Sequence, residues 1–181
     1  FQVQISNLVV MCCSDAVVVS STGSGKSLSW ILPLLARKEG ISLVVTPYTS
    51  LGLDERNTVK DFELTATGEM LVVYVYPEML ESPSFTRLTH SKSWQGRLSA
   101  IYIDEAHLIY QTHVWRPSYA RIYRLRNIIG HNVPLICLSA TCPELYRNAL
   151  VTYAGLTQGA KPVAVTKLLP CGQARGTLPW Q

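Results

Sequence analysis

The sequence predicts an α/β fold with a mainly parallel central sheet and helices on both of its faces. Three observations carry that prediction. Short apolar runs, apolar on both faces, alternate with helical stretches, and a strand buried on both faces belongs to a covered parallel sheet. The chemically equipped segments begin at the ends of such runs, where open parallel sheets hold their ligands. The 181 residues are 48% hydrophobic and 15% charged, which suits one domain with a real core and excludes a chain disordered throughout.

The elements follow in chain order. Ile5 to Cys13 is apolar and reads as a helix. Asp15 opens the first strand, 16–19, and a glycine-rich turn follows it. Residues 28–37 read as a helix with Leu28, Ile31, Leu32 and Leu35 on its apolar face, although Pro33 falls inside it. The second strand, 41–45, ends at Thr46-Pro47, and the third, 71–76, ends at Pro77. Residues 101–103 form the fourth strand and 135–138 the fifth, the latter followed by Ser139-Ala140-Thr141. Between these two, 119–129 reads as a helix carrying Arg121, Arg124 and Arg126, and 144–153 is a short helix at best. From Gly155 the pattern fails. The expected division is a domain over 1–154 and an irregular, poorly ordered tail over 155–181.

Composition narrows the function classes. The net charge of +4 permits a polyanionic partner without demanding one. The cysteines are Cys12, Cys13, Cys137, Cys142 and Cys171; an odd count with no C-x-x-C argues against a disulfide framework and for a reducing compartment. No apolar run approaches the ~20 residues that span a bilayer, and there is no charged-then-apolar leader. No membrane role is expected.

Two segments carry the chemistry. In Thr22-Gly23-Ser24-Gly25-Lys26-Ser27, backbone N–H groups and the next helix's N-terminus suit an anion. Lys26 would reach the β- and γ-phosphates and Ser27 would bind Mg²⁺. The strict loop pattern has a glycine where this chain has Ser20, and a small residue suffices there. The bland reading is a Gly/Ser turn with an exposed lysine. The second segment, Asp104-Glu105-Ala106-His107, follows the fourth strand. An acidic pair there also suits a helix N-terminus. Alongside a phosphate loop on a separate strand, Asp104 takes the role of holding Mg²⁺, and Glu105 that of orienting or deprotonating a water. Together the segments describe a nucleoside triphosphate site.

These residues resemble a family. The TGSGKS loop, the Asp-Glu-Ala-His string and Leu138-Ser139-Ala140-Thr141 look like superfamily 2 helicases of the DEAH-box kind. Three further stretches look like the first RecA-like domain of RecQ-type ATP-dependent DNA helicases: 45–51 (VTPYTSL), 74–80 (YVYPEML) and 104–119 (DEAHLIYQTHVWRPSY). The resemblance covers about residues 1–150 and implies a RecA-like P-loop domain with ATP and Mg²⁺ as cofactors. It implies that Gln2, with Gln4 as the competing choice, reads the adenine edge, and that Thr22, Gly23, Ser24, Gly25, Lys26 and Ser27 hold the phosphates. Ser27 and Asp104 would serve the metal, with Glu105, Lys26 and Asp104 as the catalytic set. His107, Ser139 and Thr141 would couple the nucleotide site to the strand-binding face. Thr46, Pro47, Ser50, Pro77 and Arg116 would touch DNA, single-stranded or partly duplex. A nuclear location and a second RecA-like lobe are also implied.

The chain departs from the family's pattern. The aromatic-rich loop is a residue short, and Thr112 stands where the family has tryptophan, which bears on coupling. The stretch between Pro47 and Pro77 is shorter than the family's. No second lobe follows within the sequence, nor the family's zinc-binding cysteines, so little or no turnover is expected from this piece alone. Of the aromatics, Tyr74, Tyr76 and Tyr102 read as core, and Tyr48, Trp115 and Tyr119 as candidates for base stacking. The arginines at 121, 124 and 126 read as a solvated helix face ahead of a phosphate-binding cluster. Three functions compete: the ATP-binding lobe of a RecQ-like helicase, a decayed lobe that binds without turnover, and a P-loop ATPase of another kind. The Asp-Glu-Ala-His string with its later Ser-Ala-Thr favours the first over the third.

Overall fold

The computed structural model describes residues 1–12, 14–21, 23–37, 39–47, 71–111, 116–156 and 161–164. Among them, β1 (Ala16–Val19), β2 (Ile41–Val45), β3 (Leu71–Val75), β4 (Leu98–Ile103), β5 (Leu135–Ser139) and β6 (Lys161–Ala164) form one sheet in the order β3-β2-β4-β5-β1-β6. The pairings are parallel throughout. The helices are α1 (Gln2–Asn7), α2 (Leu28–Ala36), α3 (Pro83–Thr89), α4 (Lys92–Arg97), α5 (Leu108–Gln111), α6 (Pro117–Ala120), α7 (Arg124–Ile129) and α8 (Glu144–Tyr153). A π-type turn (Leu8–Cys12) continues α1, and a 3₁₀ turn (Pro77–Glu81) follows β3.

Alternation along the strands divides the core in two. Val17, Leu43, Ile101, Ile103 and Cys137 pack on one face with Phe85, Trp94, Ile109, Tyr119, Ile122 and Leu125. Ala16, Val18, Val44, Tyr102, Ile136 and Leu138 pack on the other with Ile5, Val9 and Trp30. This two-sided burial is what the unbroken apolar runs require. It also sets β1, β5 and β4 side by side, so the loops that leave their carboxyl ends converge.

Several elements differ from the sequence reading, each for a local reason. Helix α2 spans 28–36 but buries Ser29, Trp30, Pro33 and Leu34, whereas Leu28, Ile31 and Leu35 stay 48, 41 and 62% exposed. Trp30 decides the face: its Nε1 donates to Tyr74 Oη at 3.0 Å, and its ring meets Tyr102 edge-on. The helix expected over 119–129 is α6 and α7 with a turn between them. Tyr119, expected at a base-stacking surface, is fully buried in the core. Helices α3 and α4 were not legible because each hangs on one aromatic anchor, Phe85 or Trp94, and one anchor has no period. The irregular segment expected from 155 does not hold for 161–164, which pair with β1 as β6. The remainder of 157–181 lies outside the described residues.

At the amino ends of β1 and β5 sits a buried ion pair. Arg126 Nη2 donates to Asp15 Oδ1, which also accepts from Leu135 N at 2.8 Å. The same guanidinium donates to the carbonyls of Val133 at 2.5 Å, Gly130 at 3.2 Å and Gly155 at 3.1 Å. Arg126 is therefore neither a solvated nor a phosphate-binding arginine. Arg121 and Arg124 do lie exposed, both paired with Glu81.

Candidate functional site

The loop after β1 is built on two glycines in the left-handed region, Gly23 at φ 76° and Gly25 at φ 80°. A Cβ on Gly25 would also fall 2.9 Å from Gln2 Nε2. That amide nitrogen donates to Ser24 O at 3.2 Å and Gly25 O at 3.4 Å, so α1 is tied to the loop. Of the two candidate glutamines, Gln2 meets the loop and Gln4 is exposed. Ser20, standing where the strict pattern has glycine, is buried, and its hydroxyl bonds the Ser24 hydroxyl across the loop. Its backbone N donates to Ser139 O at 2.9 Å, joining the loop to the end of β5. Ser27 precedes α2 with an exposed side chain that makes no capping bond. Thr22 lies outside the described residues.

The loop after β4 faces it. Asp104 N donates to Val45 O and Ala106 N to Leu138 O, both at 2.8 Å, so the segment is anchored to both neighbouring strands. Between these anchors Glu105 is held at φ 47°, a conformation that costs a non-glycine residue about 1–3 kcal/mol. Its carboxylate faces the phosphate loop, where Lys26 Nζ donates to Oε1 at 3.4 Å. His107 Nδ1 lies 3.3 Å from Glu105 Oε2 and 3.0 Å from Ser139 Oγ. Ser139 Oγ donates to Thr141 O at 2.6 Å and accepts from Thr141 N at 3.2 Å. With the serine proton committed, Nδ1 is assigned as the donor to Ser139. A continuous path thus joins Lys26, Glu105, His107, Ser139 and Thr141. Burial, and then the neighbouring Glu105 charge, push the Asp104 carboxyl above its ordinary value, with Lys26 acting against them.

These residues fit a phosphate-bound divalent cation. Asp104 is a desolvated carboxylate beside a second one, an arrangement that a cation relieves. Among the described residues no group of three or more Asp, Glu, His or Cys gathers as a metal cage. A single carboxylate is enough for Mg²⁺ when phosphate oxygens and waters complete its shell.

The other stretches lie at the ends of β2 and β3. Thr46 N donates to Val75 O at 2.9 Å, so the two strand ends are zipped together, and Pro47 and Pro77 are buried. Arg116, just before α6, reaches both ends. Its Nε and Nη2 donate to Glu78 Oε1 at 2.7 Å and Oε2 at 2.9 Å, and its Nη1 donates to Pro47 O at 2.7 Å. The guanidinium lies 5.3 Å over the Tyr119 ring. Arg116 holds the Glu78 carboxyl below its ordinary value and is itself held up by it. Glu78 was missed from sequence: it stands beside Pro77 in the Tyr-Pro-Glu string, but nothing local shows that its partner is 38 residues away. Ser50, Tyr48 and 112–115, Trp115 included, lie outside the described residues.

Comparison with known proteins places this geometry. A family model described as DEAD/DEAH box helicase matches residues 2–149. The ATP-dependent DNA helicase Q5 of Mus musculus is 31% identical over 92% of this chain and 19% of its own length. The ATP-dependent DNA helicase RecQ of Haemophilus influenzae is 32% identical over 78% of this chain and 25% of its own. The chain therefore spans about a fifth to a quarter of these relatives. Among solved structures, the DUF1998 helicase MrfA bound to DNA and AMPPNP superposes with TM-score 0.64 at 22% identity, over 92% of this chain and 26% of that one. The Hef helicase domain of Pyrococcus furiosus gives TM-score 0.60 at 16% identity, over 92% of this chain and 39% of that one. These two likenesses establish the RecA-like helicase fold.

Proposed function

The chain belongs to the DEAD/DEAH box helicases as a RecQ-like first lobe, and from that premise we propose that it binds Mg²⁺-ATP and couples its hydrolysis to DNA strand separation within a two-lobed enzyme. The observation that carries the reading is the Lys26–Glu105–His107–Ser139 path across three neighbouring strand ends. A decayed lobe has no reason to keep that alignment or a strained Glu105.

In this reading Gln2, Thr22 to Ser27 and Lys26 receive the nucleotide, and Ser27 and Asp104 hold Mg²⁺. The cation would offset phosphate charge and fix the phosphates against the loop. Glu105 accepts a proton from the attacking water, and Lys26 stabilises the phosphate oxygens. His107 and Thr141 meet at Ser139, so a shift of Glu105 reaches the end of β5. Thr46, Pro47, Ser50 and Pro77 form the DNA side, with Arg116 among them. Half the nucleotide site and half the track fall to a second lobe, so hydrolysis by residues 1–181 alone is near background. A nuclear location fits a DNA helicase of the mouse relative's kind, whereas the Haemophilus influenzae relative fits any compartment that holds DNA.

Calorimetry of Mg²⁺-ATP binding tests the reading. Lys26→Ala removes a charge-assisted contact and is expected to weaken binding by about ten-fold or more. Equal affinity for both proteins would overturn the phosphate-loop assignment.

A further inference from the structure

We propose that Arg116 and Glu78 form a clasp that sets the relative positions of three loops on the DNA side, with Arg116 a positioning residue rather than a phosphate contact. The inference rests on the reading that this side meets DNA, and it changes what the arginine does there.

The geometry points to a clasp for three reasons. First, the guanidinium already makes the two-pronged contact by which arginine binds a phosphate, and its partner is Glu78. Second, its remaining arm donates to Pro47 O, so one side chain bridges the loop after β2, the turn after β3 and the segment entering α6. Third, the group is four-fifths buried and lies over Tyr119, a fully buried ring, which fixes its plane. A phosphate at Arg116 would have to displace a carboxylate held in that plane. The next two arginines repeat the attachment, since Arg121 and Arg124 both pair with Glu81 on the same turn. The 3₁₀ turn is thus docked by carboxylates onto the segment that follows the aromatic-rich loop.

The two roles predict opposite signs. If Arg116 contacts phosphate, Glu78 competes with DNA, so Glu78→Ala frees the guanidinium and tightens binding. If it is a clasp, Glu78→Ala loosens the loops and weakens binding as much as Arg116→Ala does. Lysine separates the roles again: it keeps the charge but cannot make the fork.

The test uses the whole chain with Arg116→Lys, Arg116→Ala, Glu78→Ala and the Ala/Ala pair. Each is melted and titrated with a fluorescent single-stranded oligonucleotide at several salt concentrations. The clasp predicts that all three single variants lose affinity about five-fold, and that the pair loses no more than either alone. Each single variant would melt about 2 °C lower, again without additivity. Tighter binding by Glu78→Ala, wild-type binding by Arg116→Lys, or a salt slope shallower by roughly 0.7 in Arg116→Ala alone would overturn it. If the unsubstituted chain binds no oligonucleotide at low salt, the DNA-side reading falls. The melts still decide the clasp, because additive losses would refute it.

Discussion

The two ends of the central strands β1, β4 and β5 carry the same kinds of side chain put to opposite uses. At the amino ends, Asp15 and Arg126 are 2 and 3% exposed, and the guanidinium makes further bonds to three carbonyls. At the carboxyl ends, Lys26 and Glu105 are 11 and 17% exposed, meet at 3.4 Å, and depend on a backbone at φ 47°. The first arrangement has its hydrogen-bonding capacity committed within the fold. The second is held at longer range and under strain, with a neighbouring carboxylate that burial disfavours. A closed network stabilises the sheet; an open one retains interaction energy for a ligand.

The contrast breaks most visibly at the closed end. Arg126→Met leaves the Asp15 carboxylate buried without its cation, which costs about 3–5 kcal/mol. A fall in melting temperature of roughly 10 °C is expected for a chain of this size. Asp15→Asn leaves the guanidinium buried without its counter-charge, but three backbone carbonyls still accept from it, so this substitution should cost less. Thermal melts of both at neutral pH check the order. A drop of a degree or less for Arg126→Met would mean that the pair is not closed as described.

The same contrast explains what the sequence displayed. The open end was legible because its residues are contiguous: Gly23 to Ser27 form one loop, Asp104 to His107 another, and each follows an unmistakable strand. Even the missing glycine announced itself, and Ser20 now shows a hydroxyl bonded within the loop. The closed end was not legible. Asp15 and Arg126 are 111 residues apart, and three arginines at 121, 124 and 126 look alike until the fold buries one of them. The apolar face of α2 failed for a related reason: leucine spacing pointed one way, while Trp30 found a hydroxyl on β3 that no local pattern contains. Strand β6 was hidden because Pro162 sits inside its short apolar run, where a proline argues against a paired strand, and its partner is distant in sequence.

A smaller change sharpens the comparison from the open end. Glu105→Gly relieves the left-handed backbone and removes the charge that raises Asp104, at the loss of a long ion pair. The net is a gain of about 1 kcal/mol, since the strain costs about that much and a pair this far apart contributes little. The expected result is a melt about 2–4 °C higher in the absence of nucleotide. Removing a charged residue from the closed end has the opposite sign. A lower melting temperature for Glu105→Gly would show that the Lys26 and His107 contacts outweigh the strain, and the open end would then be a stabilising network like the other.

The smallest effect belongs to Glu78, whose pair with Arg116 lies between the two extremes: well aligned, but with the carboxylate 44% exposed. Arg116 lowers its folded-state pKa below the ordinary 4.5. A carboxylate lowered in this way stabilises the fold at every pH above its unfolded value, and that contribution is lost as pH falls through the folded value. Glu78→Gln should therefore melt lower than the unsubstituted chain at pH 7, and the gap should begin to close as pH falls past about 4.5 and vanish below the folded-state value, where both side chains are neutral. Solvent screening limits the pair to under about 1 kcal/mol, so the gap at pH 7 is about 2 °C. Melts between pH 7 and the lowest pH at which both proteins still fold trace it. A gap that widens on acidification would mean that Glu78 is stabilised in its protonated form, and the guanidinium could not then be its partner.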